Sequence, residues 1–303
     1  MSFRIAQESI NRTTLSNINL NFKKLQEIQE KLSSGKRINR PSDDPSGTRK
    51  VLGLKTEEIQ FQQYSNNTEA AKEQINYTFN TLENIQEILA QVKELTMQAT
   101  NDTLGQSERR IIAGELNELL ESILQFSNMD NDGQYIFSGT KTTTVPFAAT
   151  RDSNGKISSI SYVGNNEEIK YQIGPNTYIQ VNIPGGTFFQ NNGIFSTLIS
   201  LRDALETSTF DSTAFLDLRN TLDTTMDTLS TETTRFGAKA NRLEMTAQSL
   251  ENSRIALKEL IAYTEDADIA SLIMNLKHQE NVLQASLETG AQIIQPTLLD
   301  FLR

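Results

Sequence analysis

No proline occurs between residues 185 and 295, and across most of that interval apolar residues return at steps of three and four. Proline removes a backbone donor and breaks helices, so a run of this length without one admits helices far longer than those of an ordinary globular domain. The last forty residues, Thr264 to Arg303, carry the pattern to its end. Ile269, Ile273, Leu276, Leu283, Leu287, Ile294, Leu298 and Phe301 recur at three, four or seven, the seam of an amphipathic helix. Thr264, Glu265, Asp266 and Asp268 suit its start, where a cap and negative charge meet the free N–H groups. Pro296 is expected to end or kink it, leaving Leu298, Leu299, Phe301 and Leu302 as an apolar tip. A single narrow seam has nothing to bury against in its own helix, so it needs a partner.

The other end of the chain offers one. From Ile5 to Ser33 there is neither proline nor glycine, and Leu15, Ile18, Phe22, Leu25 and Leu32 follow helical spacing. Gly35 is the expected stop. Residues 35–47 read as a loop in which Pro41 breaks the chain, Asp44 caps a new helix and Pro45 takes its first position. The paired Asp43 and Asp44 are read as turn and cap residues, not as a metal or acid–base couple. The charge of the two ends is compatible with their mutual attraction and equally with two solvated faces. Residues 1–55 carry 11 Lys/Arg against 5 Asp/Glu, whereas the last forty carry 2 against 6.

Between the ends the spacing predicts a helix from Pro45 to Ala99, with Ala71, Ile75, Leu82, Ile85, Leu89 and Val92 on one stripe. After a turn at residues 101–105, Ile112, Leu116, Leu119, Ile123 and Phe126 predict a second helix folding back on the first. Composition then changes: 8 of the 15 glycines and three of the six prolines lie between Gly133 and Gly193. Alternation with period two predicts strands at 157–163, 168–173 and 178–183, separated by Gly/Asn/Pro turns. Helical spacing returns over 195–205 and from about 213, where Phe236, Ala240, Leu243, Ala247, Leu250, Leu257 and Ile261 share a stripe. The fold class is therefore mainly α with a β insert: an elongated antiparallel helical bundle or coiled coil bearing a small β-rich outer domain. Its expected segments are an N-terminal arm and loop (1–44), an ascending stem (45–140), the β domain (141–194), a returning stem (195–263) and a C-terminal arm (264–303).

Chemistry is sparsely equipped. The absence of cysteine removes disulfides, thiolate metal sites and cysteine nucleophiles, and His278 is the one imidazole. A formal charge of −10 argues against nucleic acid as a partner, and no apolar run suits a membrane span or a cleavable signal. Asn128-x-Asp130-x-Asp132-Gly133 imitates half a calcium loop, but the closing bidentate position falls on Gly139. No phosphate-binding glycine motif or nucleophile elbow is present. No catalytic residue, metal ligand or cofactor is expected, and the residues assigned a role are the terminal seams themselves.

Particular stretches carry a family resemblance. Leu-Ser-Ser-Gly-Lys-Arg-Ile-Asn at 32–39 and Ser-Asp-Asp-Pro-Ser-Gly at 42–47 resemble the N-terminal signature of bacterial flagellins and flagellar hook–filament junction proteins. Residues 236–244, 265–270, 283–286 and 298–303 resemble their C-terminal helices. The prolines at 41 and 45, and residues 132–140 followed by Pro146-Phe147, tilt the resemblance towards the junction branch. It implies terminal helices that order on assembly into an inner coiled coil and a helical shell with an outer β domain. It also implies export through the flagellar type III apparatus. The implied partners are the first hook-associated protein, flagellin, further copies of the chain in a ring, and an export chaperone on the C-terminal helix. A filament flagellin is the competing reading, and a surface enzyme with its site in the β insert is a third.

Overall fold

The structure, a computed structural model, describes residues 2–101 and 103–294. Leu298, Phe301 and the expected break at Pro296 lie outside the described residues. Helices α1 (Ser2–Ser34), α2 (Pro45–Ala99) and α3 (Gln106–Ser127) come first. Six short strands follow: β1 (Asp130–Asn131), β2 (Gln134–Tyr135), β3 (Phe147–Arg151), β4 (Ile157–Tyr162), β5 (Lys170–Gly174) and β6 (Thr177–Gln180). After a π-helical turn at Gly186–Gln190, α4 (Ile194–Glu206), α5 (Ser212–Glu265) and α6 (Ile269–Ile294) complete the chain. Two compact units emerge, Met1–Gln60 with Ser253–Arg303, and Phe61–Asn252, and α2 and α5 contribute segments to both.

In the larger unit α2 follows a strict seven-residue repeat. Thr68, Ile75, Leu82, Leu89 and Thr96 form one series and Ala71, Thr78, Ile85, Val92 and Ala99 the other, and all ten are fully buried. α5 answers with Phe215, Leu222, Leu229, Phe236 and Leu243, again seven apart and buried. A seven-residue repeat keeps two helices in register only if they supercoil, so these are coiled-coil seams. The ion pair of Lys72 with Glu244, and that of Lys93 with Asp223 at 2.6 Å, run the two helices antiparallel. Threonine is tolerated in the seam because each hydroxyl bonds its own helix: Thr68 donates to the Tyr64 carbonyl at 2.7 Å and Thr78 to that of Gln74 at 2.9 Å.

The strands pair as three antiparallel hairpins, β1–β2, β3–β4 and β5–β6. Asp132 and Gly133, both at positive φ, form the two-residue turn of the first. The Asp130 carboxylate accepts from the Gly133 N–H, so the calcium-like run is hairpin punctuation. The β3–β4 turn is tied by the Asp152 carboxylate, which accepts from the N–H groups of Asn154 and Lys156 at 2.9 Å each. β3 escapes the alternation test because only Phe147 of Phe-Ala-Ala-Thr-Arg is buried. Its ring meets Phe189, Phe195 and Tyr162 edge-on or tilted at 5.2–5.3 Å between centroids. The strands thereby share one continuous buried cluster with α2 to α5.

Candidate functional site

α1 and α6 pair in the smaller unit, and the seam residues assigned from sequence divide there into two faces. Asn11, Thr14, Ile18, Asn21, Leu25, Ile28 and Leu32, at alternating steps of three and four, are the shielded positions of α1. In α6 the same alternation of four and three runs through the shielded Leu272, Leu276, Gln279, Leu283, Ser286 and Gly290. Asn21 donates to the Ser286 hydroxyl at 2.9 Å, and Gln279 donates to the Asn21 carbonyl at 3.2 Å. Polar residues inside an otherwise apolar seam cost stability and define register. Gly290 sets the spacing, since a Cβ there would lie 3.0 Å from the Ile18 side chain and 3.4 Å from that of Thr14.

Five of the assigned residues, Ile18, Leu25, Leu32, Leu276 and Leu283, are thus half-buried within the pair. Leu15, Phe22, Ile269, Ile273 and Leu287 are exposed, Leu15 and Leu287 at 51% and Phe22 at 50%. Ile294 ends α6. The division follows from helix geometry. At 3.6 residues per turn, Leu15 and Phe22 lie about 40–60° around α1 from the Ile18–Leu25–Leu32 line. Ile273 and Leu287 flank the α6 seam in the same way, immediately after Leu272 and Ser286. In an antiparallel pair, flanking positions of this kind on the two helices face the same side. The exposed Leu15, Phe22, Ile273 and Leu287 therefore form an apolar flank along one side of a two-helix seam, the pattern of a pair that accepts a further helix.

A polar knot joins this pair to the long helices. Gly35, at φ 71°, ends α1 in the left-handed conformation. The Arg37 N–H then donates to the Glu265 carbonyl at 2.7 Å, the Ala267 N–H to the Gly35 carbonyl at 3.0 Å, and the Arg37 guanidinium to the Thr264 carbonyl at 2.7 Å. The Glu265 carboxylate, 10% exposed, takes Lys36 at 2.8 Å and Lys55 at 2.7 Å. Burial pushes its pKa up, but the two ammonium groups outweigh burial and hold it below the ordinary glutamate value. The same contact raises that of Lys36. Asp44 caps α2 by accepting from the Gly47 N–H at 2.8 Å, and Asp43 accepts from Asn39 and Arg40 at 3.0 and 2.9 Å. These backbone donors hold both aspartates below the ordinary carboxylate range.

The reading of Thr264 and Glu265 as caps of the last helix is corrected here. Both end α5, and Asp268 alone caps α6, accepting from the N–H groups of Ala270 at 3.0 Å and Ser271 at 3.3 Å. A long-range ion pair had the same local signature as a cap. Sequence reasoning also missed Leu272 and Gly290; the seven-residue return Gly290, Leu283, Leu276 was the available signal. His278 is exposed beside the seam.

Comparison with known proteins bears on what such a pair is for. The model of the bacterial flagellin N-terminal helical region matches residues 5–142, and that of the flagellin C-terminal helical region matches residues 220–302. Flagellar hook-associated protein 3 of Escherichia coli is 28% identical over 286 residues, covering 85% of this chain and 86% of that protein. The flagellar filament 30.7 kDa core protein of Treponema maltophilum is 25% identical over 276 residues, covering 91% of this chain and 90% of that protein. A flagellar hook-associated protein from Vibrio parahaemolyticus has a similar fold, with a TM-score of 0.65 and 21% identity over 74% of this chain and 99% of its own.

Proposed function

Because the chain belongs to the bacterial flagellin family, carrying both of its helical regions, we propose that it is a structural subunit joining flagellar hook to filament and that it performs no catalysis. Likeness to hook-associated protein 3 over most of both chains supports the junction position. The observation that carries the mechanism is the apolar flank on α1–α6. Four large side chains about half in water on one side of a polar-studded seam are poorly used by a lone chain and well used between chains.

In this reading residues 1–44 and 264–303 are the assembly arms, 45–140 and 195–263 the helical stem, and 141–194 the outer domain. The arms pack against neighbouring copies in a ring, against the first hook-associated protein on one side and flagellin on the other. Before assembly an export chaperone covers the C-terminal helix while the chain leaves by the flagellar type III route. Deleting the gene tests the proposal: hooks should persist while flagellin is shed into the medium. Intact filaments in the deletion strain would reject it. Unaided polymerisation of the purified chain into long filaments would instead favour a filament flagellin, a reading that the Treponema relative keeps open.

A further inference from the structure

One feature of the larger unit lies apart from the α1–α6 pair. A cavity of about 770 Å³ opens between α5 and the segment that runs from β6 into the π-helical turn. Arg235, Lys239 and Arg242, spaced four and three along α5, line it together, on neighbouring turns of one helix face. Across from them stand the amide side chains of Asn166 and Asn192.

The charges in this groove do not cancel. Glu232 is taken by Arg235 at 2.6 Å and Glu168 by Lys170 at 2.7 Å. Lys239 makes no ion pair among the described residues, although Glu232 and Glu168 both stand near enough to act on it and favour its charged form. It is half-buried, with its ammonium donating to the Gln180 carbonyl at 3.0 Å and lying 4.5 Å from the centroid of the Phe236 ring. Arg242 makes no ion pair among the described residues. A partly desolvated ammonium with one carbonyl acceptor has donors to spare, and the guanidinium of Arg242, which lines the same cavity, adds a planar fork matched to carboxylate or phosphate oxygens. Burial correspondingly holds the Lys239 pKa below the ordinary lysine value.

From this geometry we infer that the groove is an oxyanion site, holding a small polycarboxylate or phosphate between Lys239 and Arg242 with the amides as further donors. The cavity is larger than an inorganic ion and suits a compact organic anion. The inference is independent of the assembly role, because the site is built entirely from residues 166–242.

Calorimetric or NMR titration of the full-length protein, with citrate and inorganic phosphate as probes at constant ionic strength, tests it. Saturable binding of one anion per chain is expected. Lys239→Met, which keeps the apolar stem over Phe236, should weaken it by about tenfold or more, as loss of a charge-assisted hydrogen bond does. Lys239→Arg should retain part of it. Arg242→Gln is exposed and leaves the fold intact, so it decides the matter if Lys239→Met fails to fold: it should weaken binding severalfold, while Lys258→Gln leaves binding unchanged. Citrate binding more tightly than phosphate would identify the carboxylate class, and the reverse order the phosphate class. Non-saturable uptake of both probes, or equal binding by wild type and Arg242→Gln, overturns the proposal.

Discussion

Leu283 and Leu287 stand one turn apart on α6, and an aspartate should act differently at each. Leu283 belongs to the seam with α1, whereas Leu287 sits on the apolar flank at 51% exposure. Full burial of a leucine contributes about 1.5–3 kcal/mol, so Leu287 has about 1 kcal/mol still to gain from a neighbouring chain. Leu15, Phe22 and Ile273 are similarly exposed, which brings the flank to about 4 kcal/mol per subunit. In the monomer Leu287→Asp should change stability by no more than about 0.5 kcal/mol, as surface substitutions do. In the assembled state it forfeits the flank's contribution at that point and leaves a buried, unpaired carboxylate, a penalty of several kcal/mol. Leu283→Asp should instead separate α1 from α6 in the monomer. Amide hydrogen exchange along α6 reads the first effect, and flagellin shed by cells carrying each variant reads the second. Leu287→Asp should keep wild-type protection of α6 yet release flagellin. If it loses protection as Leu283→Asp does, the flank is intramolecular core; if it protects and retains flagellin normally, the flank is not an assembly surface.

Other perturbations probe the knot, the seam and the stem. Gly290→Val would press a branched side chain onto Ile18, 3.0 Å from the Cβ position, and should weaken the α1–α6 pair by about 1–3 kcal/mol, read as faster amide exchange in both helices. Glu265 has a lowered pKa in the folded chain. Its contribution is therefore complete above the ordinary glutamate value of about 4.3 and is lost as pH falls through the lower folded value. Protection of the Arg37 and Ala267 amides, corrected for intrinsic exchange, should fall in that acid window, and Glu265→Gln should remove the pH dependence. Leu229→Ala, at a fully buried position of the α5 repeat, should cost about 2–5 kcal/mol and lower the melting temperature by several degrees while leaving exchange in α1 unchanged.

By itself the sequence determined the helices, because helix is a local matter of period and punctuation. Pro45 and Ala99 bound α2 where the capping aspartate and the turn residues put them. Three of the strands were legible in the alternation of their residues and the turns between them, although burial in the fold does not follow that alternation strictly: β5 runs from exposed to buried along its length. At 32–47 the stop at Gly35, the Asp44 cap and the start at Pro45 were legible, but the distant partners of Lys36 and Arg37 were not. Only the fold brings Arg37 and Lys36 to the end of a helix more than two hundred residues away, and so turns apparent cap residues into a knot. Likewise the period of a helix says that Leu15, Ile18, Phe22 and Leu25 lie near one another. It does not say which of them meets α6, because neighbouring stripes differ by about 40–60° and packing alone selects between them. That choice belongs to tertiary structure: Gly290 and the Asn21–Ser286 hydrogen bond lock one rotation of the pair, and the locked rotation leaves Phe22 and Leu287 facing water.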